Sequence, residues 1–506
     1  MSASVVVTGI GVTAPNGLGT DEYWAATCSG KSGIGEVTRF DAAGYPARLA
    51  GEVPGFVAEN HLPSRLIPQT DHMTRLALVA ADWALADAGV RSQEWPEFDM
   101  GVVTASSSGG FEFGQGELQN LWSKGGQHVS AYQSFAWFYA VNSGQISIRN
   151  GMRGPSGVVV SDQAGGLDAV AHARRQIRKG GRLVVSGGVD GSICPWGWVA
   201  QIASGRLSTS HDPDRAYRPF DAEAAGHVPG EGGALVVLED AEAARRRGAR
   251  AYGEIAGYGS TFDPRPGSGR EPGLQRAIRL ALDDAGLAPG GIDVVFADAA
   301  AVPDLDRIEA AAIGAVFGPR GVPVTAPKTM TGRLYSGAAS LDLAAALLSI
   351  RDGLIPPTTN VSPASEYDLD LLIAEPRSTP VGAALVLARG AGGFNSAMVV
   401  RRAARRSRRR GGRNEGTEMA TQEFKIEDLK RTLREAAGES EGARLDGDVL
   451  DVAFEELGYD SLALLETAGR IERAYRIRLE DSTVTDAETP RALLAVVNEL
   501  LADHVA

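Results

Sequence analysis

The first 400 residues alternate short apolar runs with alanine-rich stretches, and this alternation constrains the fold more than any other feature. Short buried strands separated by helices stack into layers, because each element must bury its apolar side chains against another. We predict strands at Val5–Val12, Met100–Ala105, Val158–Ser161, Arg182–Ser186, Ala234–Leu238, Ile292–Ala297 and Ala383–Ala388. We predict helices at Thr74–Ala88, Leu167–Lys179, Leu274–Ala285 and Ser340–Arg351. The pattern indicates a layered α/β body, and its repetition from about Ala249 indicates a duplicated unit.

Length and cysteine content narrow the class of protein. A chain of 506 residues exceeds one ordinary hydrophobic core, so two or more domains are expected. The N-terminus lacks the basic region of a secretory signal, and no apolar run is long enough to span a bilayer. Cys28 and Cys194 are the only cysteines, and no metal-binding Cys or His spacing occurs. We therefore expect a cytoplasmic protein that needs neither a metal nor a membrane.

Charge separates a basic segment and a small acidic module from the body. Residues 401–418 hold eight Arg and two Glu, whereas residues 419–506 hold 10 Lys/Arg and 20 Asp/Glu. The basic segment has no hydrophobic periodicity and contains Gly411-Gly412, which predicts a flexible linker. Nucleic-acid binding is the alternative, but no aromatic residues for base stacking accompany the arginines, so we expect no nucleic-acid partner. The acidic module should bind basic surfaces.

A helix in the acidic module begins at a serine. Apolar residues recur on one helical face at Leu464, Ala468, Ile471 and Tyr475. Asp460 can cap this helix, which places Ser461 at its N-terminus. A phosphate attached there would face free N–H groups and the positive end of the helix dipole. The alternative is that Ser461 only caps the helix.

Residues 419–506 resemble an acyl carrier protein of aromatic polyketide synthases, and Asp460-Ser461-Leu462 matches the attachment motif of that family. The resemblance implies a small all-α helix bundle in which Ser461 carries 4′-phosphopantetheine. It also implies that a phosphopantetheinyl transferase and a malonyl-CoA:ACP transacylase act on this domain.

The stretch VVVSDQAGGLDAVAHARRQI, from Val158, has the strand–turn–helix pattern of a nucleophile elbow. Gln163 stands at the apex, and an amide is not a nucleophile. Other motifs follow in order along the chain: VVVTGIGVTAPNG from Val5, PFDAEAAGHVPGEGG from Pro219, PKTMTGR from Pro327, IPPTTN from Ile355 and GGFNSA from Gly392. With these motifs, residues 1–400 resemble a β-ketoacyl synthase. The resemblance implies a thiolase-like αβαβα body in two halves, which we place at 1–249 and 250–400.

A working ketosynthase of this family uses one Cys and two His. The matching positions here hold Gln163, Asp298 and Arg333, with a one-residue slip to Ala299 as the alternative for the second. No histidine lies between His227 and His504. Gln cannot form a thioester, and Arg is always protonated, so it cannot act as a general base. We expect Cys194 to be a packed thiol, because no elbow precedes it.

This set of replacements resembles the chain-length factor, or ketosynthase β, of type II polyketide synthases. The resemblance implies a heterodimer with a ketosynthase α subunit and a shared tunnel for the polyketide intermediate. The predicted tunnel wall consists of residues at helical spacing: Phe111, Gly114, Leu118 and Trp122. Trp196 and Trp198 are weaker candidates for the same wall. Ordinary core packing is the alternative for each. Small residues in this wall predict a product of about twenty carbons or more.

The sequence is also consistent with two other functions. Loading-type ketosynthases also carry Gln at the elbow and decarboxylate malonyl carrier protein, and the Gln163 amide could hydrogen-bond the thioester carbonyl. Those domains keep their histidines, which this chain lacks at the matching positions. A purely structural partner of ketosynthase α is the third possibility, and it predicts that tunnel substitutions change yield but not product length.

Overall fold

The computed structural model describes residues 4–265, 267–403, 424–437, 449–459, 461–475 and 489–503, together with Leu479 and Ala487. The chain forms two compact units, Met1–Arg405 and Arg406–Ala506. Among the described helices, none has both the length and the apolar character needed to cross a membrane.

The N-terminal half of the larger unit is built around a five-stranded mixed sheet. The strands of this whole half, inside and outside the sheet, are β1 (Val5–Ala14), β2 (Gly17–Leu18), β3 (Ile34–Glu36), β4 (Leu49–Gly51), β5 (Met100–Ala105), β6 (Ser156–Val159), β7 (Leu183–Asp190) and β8 (Gly232–Asp240). Its helices are α1 (Thr20–Cys28), α2 (His72–Asp87), α3 (Phe111–Lys124), α4 (Gln133–Ala136), α5 (Val141–Asn150), α6 (Gly165–Arg178), α7 (Pro195–Ile202) and α8 (Ala241–Arg246). The strand order is β6-β5-β7-β8-β1. Strands β6, β5 and β7 are parallel, whereas β8 is antiparallel to both β7 and β1.

The C-terminal half repeats this arrangement. Its strands are β9 (Gly253–Phe262), β10 (Val294–Phe296), β11 (Pro323–Thr325), β12 (Leu354–Ile355), β13 (Asp370–Leu371), β14 (Arg377–Ser378), β15 (Ala383–Gly390) and β16 (Phe394–Arg401). Its helices are α9 (Leu274–Ala285), α10 (Pro303–Phe317) and α11 (Ser336–Asp352). The strand order is β13-β11-β10-β15-β16-β9. From β11 to β9 the succession of parallel and antiparallel neighbours is that of the first sheet, and β13 adds one more parallel strand at the edge. A short β1–β9 pairing, Val6 with Glu254 and Val7 with Gly253, joins the two sheets.

Five layers result, and the predicted αβαβα body is confirmed. Helices α6 and α11 lie between the two sheets, where residues 336–350 of α11 are all buried. Helices α2 and α5 cover the outer face of the first sheet, and α9 and α10 cover that of the second. Helix α11 is alanine- and leucine-rich on every side, as expected of a fully buried helix, and its one buried carboxylate, Asp342, pairs with Lys328 at 2.6 Å.

The predicted elements are present with shifted ends. Met100–Ala105 and Leu274–Ala285 have the predicted bounds, whereas β6 lies two residues before the predicted strand Val158–Ser161. Strands β9 and β16 were not predicted individually. Arg401, which was assigned to the linker, ends β16 and forms an ion pair with Glu254 at 2.8 Å. The rest of the predicted linker, from residue 404, lies outside the described residues.

The smaller unit contains three described helices around one apolar core. They are α12 (Ile426–Ala437), α13 (Ser461–Tyr475) and α14 (Pro490–Asp503). Leu464, Ala468 and Ile471 are buried and Tyr475 packs against the same core, so the predicted helical face is the inner one. The Asn498 amide joins the ends of the unit, because its Oδ1 accepts from Phe424 N at 2.7 Å and its Nδ2 donates to Phe424 O at 2.9 Å.

Candidate functional site

The elbow after β6 holds Gln163 in a strained turn. Asp162 has a φ of +51°, a left-handed conformation that a non-glycine residue rarely adopts. A single 3₁₀ turn, Asp162–Ala164, then leads into α6. Gly166 has to be glycine, because a Cβ there would lie 2.4 Å from Ser340 Oγ on α11. The two glycines after Gln163 thus let α6 begin close against the neighbouring central helix.

The Gln163 side chain is only 2% exposed, and within the described structure neither its Oε1 nor its Nε2 has a hydrogen-bond partner. An unsatisfied buried amide costs about 1–3 kcal/mol. The sequence of the elbow predicts this position but not its unpaired state. The amide is therefore available to a ligand.

Asp298 and Arg333, the other two replaced positions, form a buried ion pair. Arg333 Nη2 lies 3.1 Å from both carboxylate oxygens, and Nη1 lies 3.2 Å from Oδ2. Burial alone lowers the pKa of Arg333, but the adjacent Asp298 carboxylate outweighs it and the net pKa is raised. A guanidinium held in this way stays protonated and cannot act as a general base.

The same pair ties three loops together. Arg333 donates to the carbonyls of Asp298 at 2.9 Å and Arg389 at 3.2 Å, while Asp298 Oδ1 accepts from Arg389 N at 2.9 Å. The segment after Arg389 is also held at Ala391, whose N–H donates to Asp162 Oδ2 at 2.7 Å. The pair therefore fixes the loops around the elbow.

One cavity of about 690 Å³ brings the three replaced positions together. Gln163, Asp298 and Arg333 all line it, as does Phe111 of the predicted tunnel wall. Ala299, the alternative for Asp298, does not line it. Cys194 is buried at the start of α7, where burial raises its pKa to about 11, and it does not face the cavity. No thiol is among the described residues that line this cavity.

His227 and Tyr335 are among the polar residues of the cavity that sequence reasoning missed. His227 lines it, and burial, together with Arg333 and Arg206, lowers its pKa well below the ordinary value, so its imidazole is neutral. The Tyr335 hydroxyl also lines it and has no hydrogen-bond partner in the described structure. His227 lies in the motif from Pro219, and Tyr335 closely follows the motif from Pro327, so both could have been found. No histidine lies between His227 and His504, but His227 itself lines the cavity.

The structure separates the predicted tunnel residues into two groups. Phe111 stacks on Trp196 with ring centroids 4.5 Å apart, and a Cβ on the buried Gly114 would lie 3.4 Å from Trp196 Cζ3. Of the five predicted tunnel residues, Phe111 is among the described residues that line the cavity, whereas Gly114, Leu118, Trp122 and Trp196 are not, and Trp122 is 77% exposed. The other weaker candidate, Trp198, is a core residue: it is fully buried and donates from Nε1 to Ala47 O at 3.0 Å.

In the smaller unit, Ser461 is the first residue of α13. The side chains of Ser461 and Leu462, and the whole of Asp460, lie outside the described residues. The backbone thus places Ser461 at the helix N-terminus, where unpaired N–H groups favour a phosphate.

Three family models match the chain: the β-ketoacyl synthase N-terminal domain at residues 2–244, the β-ketoacyl synthase C-terminal domain at 252–362, and the phosphopantetheine attachment site at 429–497. The chain therefore belongs to the β-ketoacyl synthase family. The third match confirms a fused carrier domain with 4′-phosphopantetheine as its cofactor.

Similar proteins define the subgroup. The chain is 63% identical over 401 residues to β-ketoacyl synthase 2 of the actinorhodin polyketide in Streptomyces coelicolor. It is also 63% identical over 403 residues to the tetracenomycin polyketide synthase ketoacyl synthase beta subunit of Streptomyces glaucescens. Each alignment covers 79% of this chain and 98% of the relative. The solved ishigamide ketosynthase/chain length factor is similar at 29% identity, with a TM-score of 0.73 over 80% of this chain and 100% of that chain.

The predicted identity is confirmed by these similarities: the body is a ketosynthase β subunit, or chain-length factor, of a type II polyketide synthase. It is a subunit of a transferase-class enzyme that functions in a complex.

Proposed function

We propose that this chain pairs with a ketosynthase α subunit that supplies the catalytic Cys and both His, and that it sets the length of the poly-β-ketone they make. The observation that carries the proposal is the buried Asp298–Arg333 pair in the cavity that Gln163 lines. A ketosynthase-shaped cavity persists while the groups that would form and cleave a thioester are absent from its described lining. Such a site contributes shape to a complex rather than covalent catalysis.

Features of the N-terminal half support docking of a second subunit. Exposed aromatic side chains lie on α3, immediately before α4 and in the turn after α4: Trp122, Tyr132, Trp137, Phe138 and Tyr139. Within the described part of the chain, β6 pairs with β5 alone and leaves one strand edge open. Exposed aromatics and a free strand edge are typical of surfaces that a partner covers.

The wall formed by α3 and α7 supports length control. Gly114 faces Trp196 and Trp137, and a Cβ added to it would lie 3.4 and 3.5 Å from their nearest atoms, so Ala would fit but a larger side chain must displace a ring. Gly116 on the same helix has no atom within 4 Å of an added Cβ. This pair of glycines supplies a test and its matched control.

The test is to co-express the full chain with a complete ketosynthase α and to weigh the released polyketides. Gly114→Leu should shorten the main product, because Leu must displace the Trp196 or the Trp137 ring, and Phe111, which lines the cavity, stacks on Trp196. Gly116→Leu should leave the product mass unchanged. The chain without ketosynthase α should make no polyketide. Elongation by the isolated chain, or equal products from wild type and Gly114→Leu, would refute the proposal.

For the carrier domain, we propose that Ser461 is the attachment residue, that a phosphopantetheinyl transferase loads it, and that a malonyl-CoA:ACP transacylase charges the arm. The position of Ser461 at the start of α13 supports this assignment. Treatment with coenzyme A and a transferase should add one phosphopantetheinyl group to the wild type and none to Ser461→Ala. Modification of Ser461→Ala would place the attachment elsewhere.

A second candidate function is decarboxylation of malonyl carrier protein, and the unpaired Gln163 amide in the cavity favours it. The amide and the neutral His227 imidazole could both hydrogen-bond a thioester carbonyl. The chain alone, charged with malonyl groups, should then release carbon dioxide, and Gln163→Ala should abolish the release. Equal slow release from both proteins would eliminate this function and leave length control.

We also place the protein in the cytoplasm. Cys28 and Cys194 are both free thiols, as expected in a reducing compartment.

A further inference from the structure

Helix α3, which carries Phe111 and Gly114, is held to the body mainly at its N-terminal end. Gly114 is its only fully buried residue. Glu112 forms an ion pair with Arg39, and Gln115 Oε1 accepts from Trp196 N at 2.6 Å. Further along the helix, Trp122 is mostly exposed. The described polar contacts of α3 with Arg39, α2 and α7 are made by its first five residues, whereas Glu117 accepts from Ser130 N in the segment that follows the helix.

The start of α3 lacks a cap of its own. Gly110 occupies the N-cap position and offers no side chain, so the first N–H groups of the helix need an acceptor from elsewhere. Asp71 supplies it: its Oδ2 accepts from Phe113 N at 2.8 Å. The approach is close, because a Cβ on Gly110 would lie 2.9 Å from Asp71 Cβ.

The other carboxylate oxygen of Asp71 caps a different helix. Asp71 is the N-cap residue of α2, and its Oδ1 accepts from Met73 N at 2.9 Å. Helix α2 is part of the outer layer, with most of its residues buried against the first sheet. One buried carboxylate thus fastens the exposed helix α3 to a rigid element of the fold.

We propose that Asp71 is a positioning residue for chain-length control: by capping α2 and α3 together, it fixes the wall that Phe111 and Gly114 form. The inference rests on the proposed role of that wall. This inference assigns a role in length control to Asp71, which lies outside the cavity and about forty positions before α3 in the chain.

The electrostatic surroundings explain why a carboxylate is placed there. His72 on α2, Glu112 on α3, Arg39 and Glu231 surround Asp71, and Glu231 itself accepts from Arg39 and lies 3.2 Å from His72 Nε2. Burial and Glu112 raise the pKa of Asp71, whereas the two N–H bonds and His72 lower it. Two N–H donors converge on this side chain, and only a carboxylate offers an acceptor to each.

Substitutions can separate the two caps. Asp71→Asn and Asp71→Ser both keep a good N-cap for α2. Asn has one acceptor oxygen for two N–H groups, and Ser is too short to serve both, so each variant loses the bond to Phe113 N. The matched control is Asp240→Asn, because Asp240 caps α8 through Glu242 N and Ala243 N and is not bonded to α3.

The experiment measures hydrogen exchange of the Phe113 amide and the mass distribution of polyketides from the full chain with ketosynthase α. We expect exchange at Phe113 to rise about tenfold in both Asp71 variants, as loss of one hydrogen bond implies, while Met73 stays protected. Products of other lengths should then accompany the main one. Asp240→Asn should change neither measurement.

The outcomes distinguish this inference from the function on which it rests. If Gly114→Leu shortens the product but the Asp71 variants leave both Phe113 exchange and product masses unchanged, the positioning role is refuted and length control stands. If Phe113 exchange rises but neither Gly114→Leu nor the Asp71 variants alter product mass, α3 does not set length and both proposals fall.

Discussion

The Asp298–Arg333 pair can be tested by removing its members singly and together. Asp298→Asn leaves the Arg333 guanidinium buried without its counter-ion, and Arg333→Met leaves the carboxylate beside Glu309 and Asp306. Burial, and after it the Asp298 carboxylate, already raises the pKa of Glu309 to about 7, so carboxyl groups are crowded here. Breaking a buried pair by removing one partner costs about 3–5 kcal/mol.

The double variant should be much more stable than the sum of the single effects predicts. The Asn side chain introduced at position 298 keeps an oxygen for Arg389 N, whereas the Met introduced at position 333 loses the bonds to the carbonyls of residue 298 and Arg389 and to Tyr217. Each of the two bonds from the charged guanidinium to a carbonyl is worth about 1.5–3 kcal/mol. The coupling energy of the double-mutant cycle should therefore be about 3 kcal/mol.

Urea unfolding followed by tryptophan fluorescence measures these free energies. All seven Trp residues lie before residue 199, so the signal reports the body and not the carrier domain. Asp304→Asn is the control, because its exposed pair with Arg307 should contribute no measurable stability. If either single variant unfolds like the wild type, or if the single effects add, the Asp298–Arg333 pair does not stabilise the fold as we infer.

Four further outcomes are expected. Gly114→Ala should raise the free energy of unfolding by up to about 1 kcal/mol, because Ala is the better helix former and its Cβ fits, and urea unfolding would show it. Burial raises the pKa of Asp71 from 3.8 to about 6 in the folded protein. Protonated Asp71 therefore stabilises the fold fully below about pH 3.8, and this contribution is lost as the pH rises through 6. Asp71→Asn should therefore flatten the decline in stability between about pH 4 and pH 6 by up to about 3 kcal/mol, measured by thermal unfolding. Gln163→Cys should gain a thiol that iodoacetamide alkylates but should not elongate a chain, since Asp298 and Arg333 remain. Ser461→Ala should abolish product from the tethered carrier in the complex unless a separate carrier protein is added.

Local patterns in the sequence were sufficient for the main elements, and they selected three residues, Gln163, Asp298 and Arg333, that the fold brings to one cavity. The elbow at Gln163 needs only an apolar run, a turn and two glycines, and the carrier helix needs only its apolar periodicity. For Asp298 and Arg333, motifs around each position were enough to find them. Nothing in either motif indicates that the two side chains form an ion pair.

The tunnel wall shows where helical spacing stops being informative. Phe111, Gly114, Leu118 and Trp122 have the spacing of one helix face, and α3 is indeed a helix. Spacing indicates which residues share a face, but the contacts of that face depend on how the helix is anchored. Anchoring at its N-terminal end places Phe111 at the cavity and leaves Trp122 exposed.

The sequence by itself determined the layered fold, the duplicated halves, the fused carrier and the loss of the nucleophile, because periodicity and short motifs are local properties of the chain. Only the tertiary structure decided the partners of the polar groups. It paired Asp298 with Arg333, brought the neutral His227 into the same cavity and let the two oxygens of the Asp71 carboxylate cap two different helices. Hydrogen bonds and ion pairs form between groups that folding brings within about 3 Å, and their separation along the chain leaves no pattern in the sequence that reveals them.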